Sequence, residues 1–230
     1  MQEGKGTMHD GRKTSWRVYL WLLGAVIVAV SAGALFFALF NTAINNQLDA
    51  IATPTPLNDG VRVVAPPKPV LDFTLTSHTG QPVSLSDLRG KPVLLFFGYT
   101  HCPDVCPLTM LAFRRVHEAL GEQADDIAYV FISVDPQRDT PEQLARYLEQ
   151  RNVPFVIGLQ GDDDTLQRIA RDYNLVYEQV PDPNVPSNYL MNHTSNAFLF
   201  NAEGRMAAIF AFQTDAEVIA EHIRPLLPPS

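Results

Sequence analysis

The strongest constraint on the fold is an alternation of strand and helix patterns that begins at residue 70 of this 230-residue chain. Apolar runs of strand length lie at 93–97, 127–134 and 155–158, and apolar residues at helical spacing follow each run. This alternation predicts an α/β domain. The run at 93–97 is apolar throughout, which is typical of a central strand buried on both faces.

Turn signals predict two β-hairpins in the same domain. The first hairpin surrounds Thr79 and Gly80, near the start of the domain. The second joins strands at 197–200 and 206–210 through the short polar turn that separates them. Both hairpins are therefore predicted from local sequence alone.

Two helix starts are marked by capping boxes. Thr140 and Gln143 form one box, with Pro141 at the first helical position, and Thr214 with Glu217 forms the other. In such a box the hydroxyl oxygen accepts a hydrogen bond from a backbone N–H group that the helix itself leaves unpaired. We therefore expect one helix to follow each threonine.

An uncharged stretch precedes the domain. Residues 18–40 contain 23 residues without a charged side chain, and as a helix they would span roughly 34 Å, enough to cross a bilayer. Trp16, Tyr19 and Trp21 lie at its start as an aromatic belt. Basic residues precede the stretch and none follows until Arg62, so the positive-inside rule places the N-terminus in the cytoplasm and the domain across the membrane.

The chain is thus predicted to have four segments. They are a cytoplasmic tail at 1–17, a transmembrane anchor at 18–40, a proline-rich tether at 41–69 and the α/β domain at 70–227. A cleaved signal peptide is the alternative for the anchor, but the apolar stretch is long for one and lacks a clear small-x-small cleavage site. The tail is short for a transit peptide, which favours the bacterial inner membrane and periplasm over the mitochondrial intermembrane space.

Charge and cysteine content exclude other classes of protein. The net charge is −8, and the domain is more acidic still because Lys5, Arg12, Lys13 and Arg17 all lie in the tail. An acidic domain argues against a nucleic-acid partner. The chain contains two cysteines, so no disulfide framework holds the fold together.

Both cysteines lie in one segment that carries the chemistry. Cys102 and Cys106 belong to GYTHCPDVCPLT at 98–109, directly after the predicted central strand. A helix is predicted to start near Cys106 or Pro107. The carboxyl end of a strand in an α/β sheet is where functional sites gather. The helix start supplies unpaired N–H groups and a partial positive charge, which both favour thiolate over thiol.

The spacing of the cysteines leaves several roles open. Thiolates attack disulfides and bind soft metals. On a helix, the i, i+4 spacing of Cys102 and Cys106 places their Cβ atoms about 5–6 Å apart on one face. That distance is slightly long for a relaxed disulfide and suits two ligands of one ion. A redox-active pair, a structural disulfide and two inert buried thiols remain alternatives at this point.

Spacing does not identify a third ligand among the six histidines. His101 adjoins Cys102, and His193 lies in a proline-containing stretch at 178–196 that is predicted to be a long loop. Long loops inside compact domains are usually functional or mobile. By pattern alone, however, an ordinary loop residue is the default interpretation of His193.

Three ordered motifs carry a resemblance to a known family. GYTHCPDVCPLT at 98–109, FISVDPQRDTPEQL at 131–144 and NHTSNAFLFNAEGR at 192–205 closely resemble motifs of the SCO/SenC family of membrane-tethered, thioredoxin-like copper proteins. The resemblance covers residues 70–227 and includes the single anchor before them. It implies a thioredoxin-like fold with an extra N-terminal β-hairpin.

The resemblance also implies a metal site and a task. Cys102, Cys106 and His193 are expected to bind one copper ion, as Cu(I) or Cu(II). The implied task is that of a copper chaperone that helps to assemble the binuclear copper centre in subunit II of cytochrome c oxidase. Other periplasmic copper chaperones or thiol reductants are further expected partners. Two thiolates and one imidazole form a soft three-ligand set, which suits Cu(I) better than structural zinc.

One residue departs from the family pattern. The family commonly has aspartate immediately before the metal-binding histidine, whereas this chain has Asn192. The departure puts in doubt any tuning of the site by a carboxylate, but not the ligand itself. Met191, one position earlier, is a soft thioether near the motif and has no predicted role.

Two other functions compete with copper delivery. A thiol-disulfide oxidoreductase that keeps the copper-site cysteines of the oxidase reduced would use the same two sulfurs. A peroxiredoxin-type peroxidase would share the fold and a cysteine at a helix start, but that class has threonine three residues before the attacking cysteine. Here Tyr99 and Pro103 occupy those positions, which argues against a peroxidase.

Overall fold

The structure, a computed structural model, describes residues 20–25, 27, 29, 31–37, 39–40, 60–185 and 188–228. The chain divides into two units, Met1–Pro54 and Thr55–Ser230. In the first unit, all the described residues between 20 and 40 are helical. Among the described residues, no single helix combines the length and the apolar character that a bilayer crossing requires. The predicted tail at 1–17 and most of the predicted tether, 41–59, lie outside the described residues.

Ten strands lie in the described part of the second unit. They are β1 (Val61–Lys68), β2 (Thr74–Ser77), β3 (Pro82–Ser84), β4 (Val93–Gly98), β5 (Ala128–Ser133), β6 (Val156–Gln160), β7 (Tyr177–Pro181), β8 (Tyr189–His193), β9 (Ala197–Phe200) and β10 (Met206–Phe210). Eight of them form one sheet in the order β1-β10-β9-β4-β5-β6-β2-β3. The other two, β7 and β8, form a separate two-stranded sheet.

The centre of the large sheet is apolar and parallel. Every residue of β4 is buried, so the prediction of a central strand at 93–97 is confirmed. β4 pairs in parallel with β5, and β5 pairs in parallel with β6, while β9 lies antiparallel on the other side of β4. The carboxyl ends of three neighbouring strands therefore meet at one edge of the sheet.

Four α-helices lie in the described part of the second unit: α1 (Val105–Leu120), α2 (Pro141–Gln150), α3 (Asp163–Tyr173) and α4 (Ala216–Ile223). α1 begins one residue before the earlier of its two predicted starts, Cys106. The predicted start of α2 is confirmed, because the Thr140 hydroxyl oxygen accepts a hydrogen bond from the Gln143 N–H and Pro141 is the first helical residue.

The start of α4 differs from its prediction. Asp215 is the N-cap, and its carboxylate accepts a hydrogen bond from the Glu217 N–H. The Thr214 hydroxyl instead donates to the carbonyl oxygens of Gly60 and Ala211. The predicted capping box is wrong because the preceding loop uses that hydroxyl.

Both predicted hairpins are confirmed. β2 and β3 pair antiparallel around the turn at Thr79 and Gly80, and β9 and β10 pair antiparallel in the same sheet. Gly80 has φ of +80°, a left-handed conformation that favours glycine and explains why this turn signal is reliable. The β2–β3 hairpin lies before the central strand in sequence, as predicted.

Part of the segment predicted as a tether, 41–69, is a strand. β1 pairs antiparallel with β10 at the edge of the sheet, with Val61 opposite Phe210, and the register shifts along the strand. Pro66 and Pro67 are tolerated there because one side of an edge strand has no partner. The proline content predicts extended backbone, but it does not predict the pairing with β10.

Much of the stretch 178–196, predicted as a long loop, is a hairpin. β7 and β8 pair antiparallel in a register that runs from Tyr177 opposite His193 to Pro181 opposite Tyr189. The loop prediction is wrong for these residues. The strands of this hairpin are only partly buried, so they do not need the apolar alternation by which strands are recognised.

Candidate metal centre

The structure brings the three predicted metal ligands together. The two sulfurs of Cys102 and Cys106 and a ring nitrogen of His193 all lie within 4.8 Å of one another. The Sγ of Cys106 lies 3.7 Å from the Nε2 of His193, although 87 positions separate the two residues in the sequence. Both cysteines are free. Two sulfurs and one imidazole therefore converge on one point.

The cysteines lie at the junction of β4 and α1. Cys102 is in the connecting loop and is 8% exposed, whereas Cys106 lies in the first turn of α1 and is fully buried. The backbone N–H of Cys106 donates to the Sγ of Cys102 at 3.4 Å. That N–H is one of those that the first turn of a helix leaves unpaired, so the sulfur of Cys102 caps α1.

The two sulfurs differ in protonation. A hydrogen bond from the thiol of Cys106 lowers the pKa of Cys102 to about 4, against the opposing effect of burial. Burial raises the pKa of Cys106 far above its usual range, and the adjacent Cys102 raises it further. At neutral pH the pair therefore shares one proton, with the negative charge on the sulfur of Cys102.

The last residue of β4, Gly98, makes room for the sulfur of Cys106. A Cβ atom at this position would lie 2.9 Å from that sulfur, and 2.7 and 2.8 Å from ring atoms of Phe96 and Phe131. A larger residue would therefore displace the sulfur or one of the rings. Gly98 is absent from the predicted site. A single glycine that ends a run of large apolar residues is the signal that points to it.

The ring of His193 is oriented by its neighbours. Its Nδ1 lies 3.0 Å from the carbonyl oxygen of Thr194, and because a carbonyl oxygen only accepts, Nδ1 carries the proton in this contact. The lone pair then lies on Nε2, the nitrogen that faces Cys106. The rings of Phe96 and Tyr99 contact the imidazole edge to face, each at a centroid distance of 5.8 Å. This is the orientation that a metal-binding imidazole requires.

Tyr99 lies beside the sulfurs as a neutral phenol. The residue is 2% exposed. Burial raises its pKa to about 12, with the backbone of Met191 opposing the shift and the negative charge of Cys102 adding to it. Tyr99 therefore stays protonated at neutral pH and adds no second negative charge next to the Cys102 thiolate.

Strand alternation separates His193 from its neighbour in β8. Met191 and His193 share one face of the strand, and Met191 packs against the hydrophobic core. Asn192 points to the other face and is exposed. The residue that departs from the family pattern therefore does not face the two sulfurs.

A second group of potential ligand atoms lies nearby. Atoms of His101, Asp135 and Asp139 are within 4.8 Å of one another. The buried carboxylate of Asp139 accepts three hydrogen bonds, from the backbone N–H and the hydroxyl of Thr100 and from the hydroxyl of Ser133. Asp139 thus holds the loop that leads to the cysteines.

The other carboxylate of this group is also fully engaged. Asp135 forms an ion pair with Arg138 and accepts a hydrogen bond from the hydroxyl of Tyr189. A guanidinium already neutralises this carboxylate, so a second cation would meet charge repulsion. The group is therefore a structural network, and the cysteine–histidine group is the better metal site.

This chain is similar to proteins of one family. The family model described as SCO1/SenC matches residues 65–228. The chain is 35% identical over 155 residues to the mouse mitochondrial Protein SCO2 homolog, which covers 66% of this chain and 60% of that protein. It is 31% identical over 153 residues to the SCO2-like protein of Rickettsia felis, and this match covers 66% of this chain and 74% of that protein. The match thus spans less than two thirds of the mouse protein.

Solved structures of related proteins have the same fold. Bradyrhizobium japonicum ScoI, solved with copper bound, is 37% identical with a TM-score of 0.63, over 69% of this chain and 99% of that chain. Yeast Sco1, solved with copper bound, is 26% identical with a TM-score of 0.60, and the match covers 70% of this chain and 92% of the yeast chain. BsSco, described as a member of the Sco family of cytochrome c oxidase assembly proteins, is 21% identical with a TM-score of 0.55. That match covers 70% of this chain and 94% of the BsSco chain. These matches confirm the predicted α/β fold.

Proposed function

Because this chain belongs to the SCO1/SenC family, we propose that it is a copper-binding assembly factor for cytochrome c oxidase. Cys102, Cys106 and His193 would bind one copper ion as cargo. The observation that carries this proposal is the approach of the His193 Nε2 to 3.7 Å from the Cys106 sulfur. The similar proteins from B. japonicum and yeast, which were solved with copper bound, support it.

The protonation and orientation of the three side chains fit copper. The thiolate of Cys102 is present at neutral pH, so binding needs to release only the proton of Cys106. The contact of His193 with the Thr194 carbonyl oxygen keeps the lone pair of Nε2 on the sulfur side. Soft sulfur and imidazole ligands in this number match Cu(I). Bound copper would itself be the group that is transferred.

The differing exposure of the ligands supports delivery to another protein. His193 is partly exposed and Cys102 is 8% exposed, whereas Cys106 is fully buried. An acceptor with thiolate and imidazole ligands would therefore replace the imidazole and the outer sulfur first, and the buried sulfur last. We propose subunit II of cytochrome c oxidase, with its binuclear copper centre, as this acceptor.

The N-terminal sequence supports a membrane-bound location for this task. The 23 uncharged residues at 18–40 would anchor the chain in the inner membrane, with the tail at 1–17 in the cytoplasm. The polar and proline-rich residues at 41–59 would then separate the domain from the bilayer in the periplasm. Other periplasmic copper chaperones or thiol reductants would load or reduce the site.

Copper stoichiometry and affinity in the full chain test this proposal. We expect one copper ion per wild-type chain, and a loss of affinity of more than about 100-fold in each of Cys102→Ala, Cys106→Ala and His193→Ala. His222→Gln is the matched control, because His222 lies on α4 and contacts the Val218 carbonyl oxygen. A ligand variant that binds copper as tightly as this control would contradict the site, and a failure of the wild type to transfer copper to a purified acceptor domain would contradict the delivery role.

The unequal sulfurs favour a second candidate function, thiol-disulfide exchange. A thiolate at Cys102, which is 8% exposed, beside a fully buried thiol at Cys106 is the arrangement of an attacking and a resolving cysteine. The two thiols would reduce a disulfide of the acceptor to two thiols and become a disulfide themselves. His193→Ala separates the two functions, because exchange needs only the dithiol. If that variant still supports oxidase assembly, thiol reduction is the operative role.

A further inference from the structure

An arginine network joins the turn between β5 and α2 to the β7–β8 hairpin. The Nε of Arg138 donates to the carboxylate of Asp135, three residues earlier in the same turn. A terminal nitrogen of Arg138 donates to the side-chain oxygen of Asn188 and to the carbonyl oxygen of Tyr189, each at 3.0 Å. One guanidinium thus binds its own turn and the start of β8.

The side chain of Tyr189 contacts both charged members of this network, Arg138 and Asp135. Its ring lies against the guanidinium of Arg138, with 3.5 Å between the guanidinium carbon and the ring centroid. Its hydroxyl donates to the second oxygen of Asp135 at 2.8 Å. The side chains of Asp135 and Arg138 are 2% and 17% exposed. Because water is largely excluded, these charged hydrogen bonds constrain geometry more than surface ion pairs do.

The network acts on the strand that carries the histidine. Tyr189 and His193 are the first and last residues of β8, and they share one face because they are four positions apart. The far end of the strand is held at Thr194, which exchanges backbone and side-chain hydrogen bonds with Val176. In the part of the chain that the structure describes, β7 is the only strand paired with β8, so these contacts help to hold the strand that carries the imidazole.

The same turn also holds the cysteine loop. Asp139 binds Thr100, which lies two positions before the first cysteine. Arg138, the preceding residue, binds Tyr189, which lies four positions before the histidine. The turn at 134–140 therefore contacts both halves of the candidate site without supplying a ligand.

We propose that Arg138 is a positioning residue of this site, which sets the distance between the hairpin that carries His193 and the loop that carries Cys102. It acts through Asp135 and Tyr189 and does not touch the metal. The inference rests on the proposed function, because copper affinity is the property that Arg138 tunes. Its effect on the hairpin itself is independent of copper.

Hydrogen exchange of the copper-free full chain tests the effect on the hairpin. In Arg138→Ala we expect amide exchange in β7 and β8 to be faster by roughly tenfold or more, with unchanged exchange in β4 and β5. Arg224→Ala is the matched control, because Arg224 pairs with Glu217 and the Ala119 carbonyl oxygen on other elements. Exchange in the hairpin that is equal in both variants would overturn the proposal.

Copper affinity and spectroscopy of the same chains test the effect on the site. We expect Arg138→Ala to weaken copper binding by about 10- to 100-fold and to change the Cu(II)–thiolate absorption, while both thiols remain titratable. Arg138→Lys keeps the charge but loses the planar fork and the stacking on Tyr189, so its affinity should resemble that of Arg138→Ala. Tyr189→Phe keeps the stacking and loses one hydrogen bond, so its effect should be smaller.

The outcomes separate this proposal from the proposed function. If the wild type binds no copper, the proposed function fails, and the exchange data still decide whether Arg138 holds the hairpin. If the wild type binds copper and Arg138→Ala binds it with the same affinity and spectrum, the positioning role is overturned. Full rescue by Arg138→Lys would also overturn it, because positive charge alone would then suffice.

Discussion

The two halves of the candidate site are held by different kinds of interaction. The cysteine half follows β4, which is buried at every residue and paired on both sides within an eight-stranded sheet. The histidine half lies on a two-stranded sheet whose residues are partly buried or exposed. Core packing thus fixes the sulfurs, whereas the polar contacts of the hairpin, together with two aromatic rings, hold the imidazole. We therefore expect the first half to be the more rigid of the two.

This difference suits the proposed task. A protein that delivers copper has to bind the ion specifically and also release it. Two sulfurs at the junction of β4 and α1 provide the specific half, because the Cys106 sulfur is buried in the core next to Gly98. An imidazole on a two-stranded hairpin outside the large sheet provides a ligand that an acceptor would displace first. The difference in stability between the two regions is therefore the property to test.

The largest expected effect is in the hydrogen exchange of the wild-type chain without copper. We expect amides in the middle of β4 and β5 to exchange roughly 100-fold or more slowly than amides of β7 and β8, because a two-stranded sheet opens locally without unfolding the core. Mass spectrometry of exchanged peptides measures both regions in one sample. Equal protection would show that the hairpin and the core open together, and the contrast between the two halves would not hold.

The rigid half is tested by Gly98→Ala. The added Cβ would overlap the Cys106 sulfur and the rings of Phe96 and Phe131, so we expect the free energy of unfolding to fall by about 1–3 kcal/mol. Urea denaturation measures the loss.

Gly158→Ala is the matched control for this change. It also adds a methyl group to a strand of the sheet, but its nearest contact is a terminal methyl carbon of Leu148 at 3.0 Å. We therefore expect a smaller loss of unfolding free energy. Equal losses of unfolding free energy in both variants would show that the packing around the Cys106 sulfur is no tighter than elsewhere in the sheet.

A change that leaves the fold intact is expected from Cys106→Ala. The variant lacks the thiol whose hydrogen bond lowers the pKa of Cys102 to about 4, while the backbone N–H at position 106 still donates to this sulfur. The pKa should therefore rise toward its ordinary value of 9.0. Ultraviolet absorbance of the thiolate, followed against pH, measures the midpoint. In the wild type the Cys102 thiolate stabilises the folded state above the unfolded-state pKa, and this stability is lost as the pH falls toward about 4. An unchanged midpoint in the variant would show that the helix start alone stabilises the thiolate.

Cys102→Ala is the complementary variant. Burial raises the pKa of Cys106, so the remaining sulfur should stay protonated across the neutral range and show no thiolate absorbance there. Ready ionisation of Cys106 in this variant would contradict the division of roles between the two sulfurs.

The smallest effect is expected from Asn192→Asp, which introduces the aspartate that the family resemblance implies at this position. Asn192 is exposed on the face of β8 opposite to His193 and lies across the hairpin from Glu178. A second carboxylate there should lower the free energy of unfolding by less than about 0.5 kcal/mol and change copper affinity by less than roughly threefold. A larger change in affinity would mean that a carboxylate at this position reaches the metal site.

Local pattern predicts one half of the site well and the other half poorly. The buried run before the cysteines, the helix start after them and the Thr140 cap are signals that act over a few residues, and the structure confirms each of them. The hairpin at 177–193 and the pairing of β1 give no such signal, because prolines and partial burial remove the apolar alternation of a strand. The glycine beside Cys106 and the role of Arg138 depend on neighbours that are distant in the sequence.

The sequence by itself determined the α/β class, the family and the place of both sulfurs, since strand length, helix capping and motif spacing are set by neighbouring residues. Only the tertiary structure decided that the imidazole of His193 faces Cys106. That contact joins residues 87 positions apart, and it depends on side-chain hydrogen bonds between a turn and a hairpin. No short stretch of sequence contains both partners of such bonds, so no local periodicity predicts them.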